Sequence, residues 1–376
     1  ALCGAAVGVK DIMRVEGLPT HAGSQVPPAA LAGPEATLVG RLRDAGALVA
    51  GTTVTAEFAS AAPGETRNPH DFAHTPGGSS SGSAAAVAAG MVPLATGTQT
   101  IGSVIRPAGF CGIVGFKATH GRVPVDGVIA HSPSLDTIGL FAADVAGLAL
   151  AAPVVWDGWQ PVSAANAGAD SGADPGLAAD TAGPVLGVPT GGYLEQADAL
   201  ATAAFADHCA ALAEAGYEMR RVGVLDDLDE ITRHDRIVNR YELARTHQTW
   251  FAQYADRYRH ETSAAILEGQ AVTPTEYDDA QRHLTWLRQD MTRRFHAAGV
   301  DLVVAPSAPG PAPAGLATTG DPVMNRPWTY AGLPALGLPA GVTPDGLPLG
   351  LQCLAPAGRD EQLLAWGEGL HDAVRR

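Results

Sequence analysis

"TPGGSSSGSAAAVAAG", residues 75–90, sets three consecutive serines behind two glycines and ahead of an alanine-rich run. Glycine accepts backbone conformations closed to other residues, so Gly77-Gly78 marks a tight bend. Residues 83–89 carry only small side chains and are expected to form a closely packed helix. Three readings fit such a loop. A phosphate cradle of the GxxxxGK[ST] type needs a Lys to reach the phosphates, and no Lys follows these glycines. A nucleophile elbow matches Gly78-Ser79-Ser80-Ser81-Gly82, with Ser80 at its centre. An elbow follows a strand directly, whereas "NPHDFAHTPG" is polar and broken by prolines. It also requires a His and an acid farther along. The third reading is a structural Gly/Ser loop that caps the helix.

On either side of this loop the pattern alternates. Residues 5–10 are expected to be a short buried strand, and residues 47–54 a strand. Between them, "EATLVGRLRDA" has apolar residues at 38, 39, 42 and 45. That is helical spacing, with Pro34 in front and Gly46 as a stop. "MVPLATGTQ" leads from the small-residue helix into a second Gly/Ser loop, and "GIVGFKA" reads as another buried strand. "PVLGVP" and "VDLVVAPSAP" read as strands, and residues 200–215, 231–260 and 275–298 as helices. The last part has apolar runs with turn punctuation, then a helix to the end. Alternating β and α segments predict an α/β fold with helices packed around a central sheet. Residues 162–183 are small, polar and of low complexity, and are expected to form a flexible loop.

The bulk numbers limit the function. The chain has 376 residues, 46% of them hydrophobic and 17% charged, enough to bury a large core. Its net charge of -15 is opposite to what a nucleic-acid surface needs, so no nucleic-acid partner is expected. Cys3, Cys111, Cys209 and Cys353 lie far apart with no metal spacing, and are expected to be mostly buried free thiols in a reducing compartment. The longest apolar run, 145–156, is short and holds Pro153, so no membrane span is expected. No signal peptide opens the chain, and a cytoplasmic location is expected. The sequence starts at Ala1 without Met and enters a strand-like run at once, like a cut into something already folded.

Two further segments change the weight on the serine loop. In "VGVKDI", Lys10 ends an apolar run. A buried ammonium tends to lose its proton, and neutral lysine is a base. The alternative is a lysine that snorkels to the surface. Asp11 is next in sequence but would point to the opposite face of a strand. In "GTQTIGSVIRPAGFCG", residues 97–112, Ser103 follows a glycine in a cramped stretch. The backbone N–H groups of Thr100, Ile101, Gly102 and Ser103 are placed to converge on an oxyanion.

A Lys in "VKD", a "GGSSSGS" loop and a "GTQTxGSxIRPA" loop together resemble the amidase signature family, in its malonamidase-like variant. Lys10 and Ser79 are 69 residues apart, and Ser79 and Ser103 are 24 apart. The resemblance runs over residues 5–150 and 300–365, through "FCGIVGFKATHGRVP", "DLVVAPSAPGPAP", "NRPWTYAGLPALGLPAG" and "DGLPLGLQCLAP". It implies one domain over residues 1–376 built on a large mixed central β-sheet surrounded by α-helices. Within it, residues 1–150 would hold the catalytic core, 184–298 a variable helical specificity region, and 299–376 the remainder of the core. It further implies a Ser-cisSer-Lys triad: Ser103 as nucleophile, Ser79 after a cis bond from Gly78 as bridge, and Lys10 as base. The product chemistry would be amide hydrolysis through an acyl-enzyme, with no cofactor.

The sequence departs from the family pattern at three points. Gln99 replaces a common Asp, leaving hydrogen bonding but no charge. Ile101 replaces a glycine and, being β-branched, requires an ordinary backbone conformation. The Arg lies one place later, at Arg106, where it either holds a substrate carboxylate or ties down loop carbonyls. Substrate contacts are assigned to Arg106, Gln99, Gly78 and Trp328, with Tyr241, His247 and Trp250 as further pocket candidates. A small-molecule amide is the expected partner. The family usually has several tens of residues before the Lys strand; those helices contribute to dimer contacts, and a homodimer is possible here. An amidotransferase component for charged tRNA and an idle amide-binding scaffold are the alternatives.

Overall fold

A computed structural model describes residues 2–162 and 183–375. Ten strands form one sheet: β1 (Ala6–Lys10), β2 (Leu48–Thr53), β3 (Leu94–Gln99), β4 (Val114–Lys117), β5 (Thr137–Ala142), β6 (Leu186–Pro189), β7 (Met219–Val222), β8 (Leu302–Pro306), β9 (Ala335–Val342) and β10 (Pro348–Leu354). Their order is β2-β1-β3-β5-β4-β9-β10-β8-β6-β7. The flanks are parallel, β1 with β2 and β3, and β6 with β7 and β8. The centre from β3 to β8 is antiparallel. This is the expected large mixed sheet.

Sequence explains the division. Parallel neighbours need a crossover helix between them, and the chain supplies one in each case. Antiparallel neighbours need only a turn. "TPDG" at 343–346 provides it between β9 and β10, with Gly346 at φ 86°.

The helices among the described residues are α1 (Pro28–Leu31), α2 (Thr37–Asp44), α3 (Ser81–Ala88), α4 (Ile105–Cys111), α5 (Val145–Val155), α6 (Ala199–Glu214), α7 (Leu228–Thr246), α8 (Gln248–Tyr254), α9 (His260–Ala271), α10 (Pro274–Ala298), α11 (Arg326–Tyr330) and α12 (Asp360–Val374). The helix expected over 231–260 is broken. His247 is fully buried, its Nδ1 3.0 Å from the Tyr258 hydroxyl and its ring edge-on to Phe58. Burying that side chain turns the backbone between α7 and α8, and tertiary packing overrides helical spacing. Five strands were not expected as such: β3, β5 and β7, and β9 and β10, which the sequence shows only as apolar runs with turn punctuation. The flexible loop expected at 162–183 falls on residues 163–182, outside the described ones. The cysteines are free; Cys111 and Cys353 are buried, Cys209 is half-buried, and Cys3 is exposed in the turn before β1.

Apolar clusters cover both faces of the sheet. Val7 and Val9 of β1 join Phe116 of β4 and the inner faces of α5 and α12 in one cluster. Phe116 stacks on Trp156 at 4.9 Å, and the Trp156 ring N–H donates to Asp360 Oδ1 at 2.9 Å. α3 and α4 belong to a second cluster with Trp328, Tyr193 and the inner face of α10. Buried aromatics carry much of such a core. Phe116→Ala is expected to cost about 3–5 kcal/mol, read as a lower urea midpoint with unchanged m-value. A loss under about 1 kcal/mol would mean that this layer does not hold the sheet to α5.

Candidate active site

β1 and β3 run parallel and end side by side, at Lys10 and Gln99. Sites in parallel α/β sheets collect at such carboxyl ends. Lys10 is fully buried. Its ammonium nitrogen lies 2.8 Å from Ser79 Oγ and 2.8 Å from Thr98 Oγ1. Asp11, its neighbour, turns away and accepts the amide of His21. Burial drives the Lys10 pKa down from 10.5 to about 7, against the pull of Asp136. That shift is worth on the order of 5 kcal/mol against the charged form.

A second lysine shows why burial is not enough. Lys117 is also buried and also lowered to about 7 by desolvation. Its nitrogen donates to the carbonyls of Ala118 and Leu333. A carbonyl has no proton to give. Lys10 faces two hydroxyls, so a neutral Lys10 can accept a proton where Lys117 cannot.

The serine loop is fastened on every side. The Gly78–Ser79 peptide is cis. Gly77 has φ 83°, and a Cβ there would fall 2.9 Å from Pro107 Cα. Ser80 Oγ donates to Thr98 O and Ser81 Oγ to Val54 O. Ser83 Oγ donates to Thr96 O at 2.7 Å. Three of the four hydroxyls therefore tie α3 to β2, β3 and the turn after β2. Ser79 is the one that meets the lysine.

Gln99 organises the second loop. Its Oε1 accepts the amides of Val104 and Ile105 at 2.8 and 2.9 Å, and its Nε2 donates to Thr329 Oγ1. Thr329 in turn donates to Ile101 O at 2.6 Å. Thr100 Oγ1 donates to Asp136 Oδ1 at 2.6 Å. The first turn of α4 is thus satisfied from outside, and among the described residues no hydrogen bond uses the amides of Ile101, Gly102 or Ser103. Positive φ outside glycine occurs at Ala22, Phe58 and Ala59, and Ile101 keeps an ordinary conformation. Ser103 is half-buried in the turn that opens α4.

Arg106 is 4% exposed. One nitrogen, Nη2, donates to Gly78 O at 2.7 Å and to Thr319 Oγ1 at 3.2 Å. It therefore braces the carbonyl that precedes Ser79. Nε and Nη1 have no hydrogen-bond partner among the described residues. Burial lowers its pKa to about 10 while nearby Asp321 opposes the shift, so it remains a cation at neutral pH.

The other pocket candidates lie in packed surroundings. Trp328 is 1% exposed; its ring N–H donates to the Tyr193 hydroxyl at 2.8 Å. Tyr241 stacks on Tyr277, and Trp250 donates to Ala30 O beside Phe58. Gln99 has both amide atoms bound within the protein. Thr98, Asp136, Thr329 and Asn325 escaped the sequence reading. Thr96 and Thr98 alternate along a buried strand, which was a usable signal. Asp136 in "SLDTIG" gives none, because its partner is a loop 36 residues away.

Comparison with known proteins places the chain in a family. A family model described as Amidase matches residues 1–364. One component of a glutamyl-tRNA(Gln) amidotransferase, from Koribacter versatilis (strain Ellin345), is 33% identical, covering 99% of this chain and 85% of that protein. A crystal structure of an amidase superposes with a TM-score of 0.86 at 31% identity, over 99% of this chain and 85% of that one. The native peptide amidase of Stenotrophomonas maltophilia superposes with a TM-score of 0.80 at 26% identity, over 100% of this chain and 83% of that one.

Selective 13C labelling and NMR titration are expected to place the Lys10 midpoint at about 7 instead of 10.5. Asp136→Asn removes an anion that favours the ammonium, so the midpoint is expected to fall further. A wild-type midpoint at the ordinary value would show that solvent reaches the ammonium.

Proposed function

The chain belongs to the amidase family, and on that footing we propose that it hydrolyses the C–N bond of a small carboxamide, or of a ureido or carbamoyl compound. The observation that carries the reading is the buried contact of Lys10 with Ser79. Neutral Lys10 takes the proton of Ser79, and Ser79 takes that of Ser103. Ser103 Oγ then attacks the carbonyl carbon. The free amides at 101–103 take the negative charge that forms on oxygen. As the C–N bond breaks, the same relay returns the proton to the leaving nitrogen. Water adds to the acyl-Ser103 ester by the reverse route and frees the acid. The scheme needs no metal or organic cofactor.

Arg106 supports an acid-bearing substrate, since two of its nitrogens stay unpaired beside the loop. The net charge of -15 makes a cationic pocket unusual here and argues against a nucleic-acid surface. No helix among the described residues is long and apolar enough to cross a membrane.

The curated relatives favour a second reading, a component of an amidotransferase. In that reading the same acyl-Ser103 chemistry would serve a partner protein. The two readings differ in what the isolated chain does.

The test is ammonia release from a panel of small amides, with and without a terminal carboxylate. The isolated wild-type chain is expected to turn over at least one, with preference for the acids. Ser103→Ala is expected to lose at least about 10³-fold in kcat. Equal activity in wild type and Ser103→Ala would remove Ser103 from the mechanism. Activity that appears only with an added partner would favour the amidotransferase.

A further inference from the structure

Glu242, in α7, is 7% exposed. Five donors converge on its carboxyl group. Oε2 accepts from Ser132 Oγ at 2.7 Å and from the Ser134 amide at 2.9 Å. Oε1 accepts from Ser134 Oγ, from the Tyr277 hydroxyl at 2.7 Å and from Gln281 Nε2 at 3.0 Å. All five donors are neutral groups. Burying an acid is costly even when hydrogen bonds replace its water, so its place here needs a reason.

The reason lies in what the carboxyl group grips. Ser132 and Ser134 belong to the turn at 131–136 that leads into β5. Inside that turn the amides of His131 and Ser132 donate to Asp136 Oδ2 at 2.7 and 3.0 Å, while Thr100 Oγ1 donates to Oδ1. Thr137, next in sequence, pairs with Gln99 at the end of β3. Asp136 and Thr98 line one small cavity, and Thr98 is the residue that Lys10 bonds. Asp136 therefore stands where β3 delivers the lysine its partner. Arg288 of α10 adds a bond to Ser134 O at 2.6 Å, and His131 is held by Phe58 O and Asn239.

Electrostatics carry the grip to the lysine. Burial raises the Asp136 carboxyl above its ordinary range; His131 and the bonds from Thr100, His131 and Ser132 oppose that rise. Asp136 in turn supports the charged form of Lys10 against burial. A turn that slips loses the bonds that keep Asp136 ionised, or draws the carboxyl away. Either change leaves the Lys10 ammonium with less support and lowers its midpoint. The other titratable or charged groups around the turn are Arg240 beside His131, Arg288 and His120 beside Pro133 and Ser134, and Tyr277 beside Glu242.

We propose that Glu242 is a positioning residue for the base: by holding Ser132 and Ser134 it keeps Asp136 presented to Lys10 and Thr100. This rests on the amide-hydrolase reading, in which Lys10 is the base and Thr100 belongs to the loop that meets the oxyanion.

Three variants separate this role from general support. Glu242→Gln keeps the side-chain shape but sets an amino group against either the Ser134 N–H or the Gln281 amino group, donor against donor. Ser132→Ala combined with Ser134→Ala loosens the same grip from the turn, and decides the matter if Glu242→Gln fails to fold. Tyr277→Phe removes a Glu242 bond that does not reach the turn. The readout is the Lys10 midpoint by 13C NMR, about 7 in wild type. It is expected to fall to about 6.5 or below in Glu242→Gln and in the double serine variant, and to keep the wild-type value in Tyr277→Phe. In an Asp136→Asn chain, adding Glu242→Gln is expected to move it no further, because both act through one carboxyl group. The acid limb of kcat/KM for ammonia release should follow the midpoint, with kcat in Glu242→Gln lower by at least about tenfold. An unmoved or raised midpoint, an equal fall in Tyr277→Phe, or additive falls with Asp136→Asn would overturn the proposal. Ammonia release with an unmoved midpoint would keep the hydrolase and remove Glu242 from its machinery. A lowered midpoint without ammonia release from any chain would uphold the positioning of Lys10 and sink the hydrolase.

Discussion

Lys10 must be both buried and useful, and the surrounding structure is arranged around that constraint. An ammonium in the protein interior is costly, so burial alone makes the amine a base near neutral pH. Burial without a proton donor yields only another Lys117. The fold prevents that by ending β1 where the Ser79 loop and Thr98 meet it. Ser80, Ser81 and Ser83 anchor the loop to the sheet, and Arg106 holds the carbonyl before Ser79. The same anchoring leaves one hydroxyl of the loop for the lysine.

Asp136 connects Lys10 to the second loop. It accepts Thr100 Oγ1 and the amides of His131 and Ser132, and its field opposes the fall in the Lys10 pKa. Gln99 acts on that loop from the other end. An acid at position 99 would add an anion at the start of α4; the neutral amide caps the helix without that charge. The shape of the loop and the Lys10 pKa are thereby set by neighbouring groups at one end of β1, β3 and β5.

Much of this was legible in the sequence, for identifiable reasons. Lys10 closes an apolar run, and the glycines of the two loops mark places where backbone approaches backbone. The mixed sheet followed from alternating segments and from the resemblance of the loops. β3 was missed because Thr96, Gly97 and Thr98 dilute its apolar pattern, although each is buried. The break at His247 was missed because its cause, Phe58 and Tyr258, lies elsewhere in the chain. Trp328 drew notice as a large aromatic in a matched motif, and its surroundings are the core around Tyr193. Asp136 was illegible because a buried polar residue has meaning only once its partners are known.

The central claim is that a neutral, buried lysine drives the reaction through Ser79. The most direct test is the pH dependence of kcat/KM for ammonia release, in wild type and Ser79→Ala. Protonated Lys10 cannot accept the Ser79 proton, so activity must rise as pH climbs through the folded-state pKa. The account predicts an acid limb with an apparent pKa of about 7 in wild type, and a loss on the order of 10²–10⁴-fold in Ser79→Ala. A profile still rising toward pH 10, or a Ser79→Ala enzyme with undiminished activity, would contradict it.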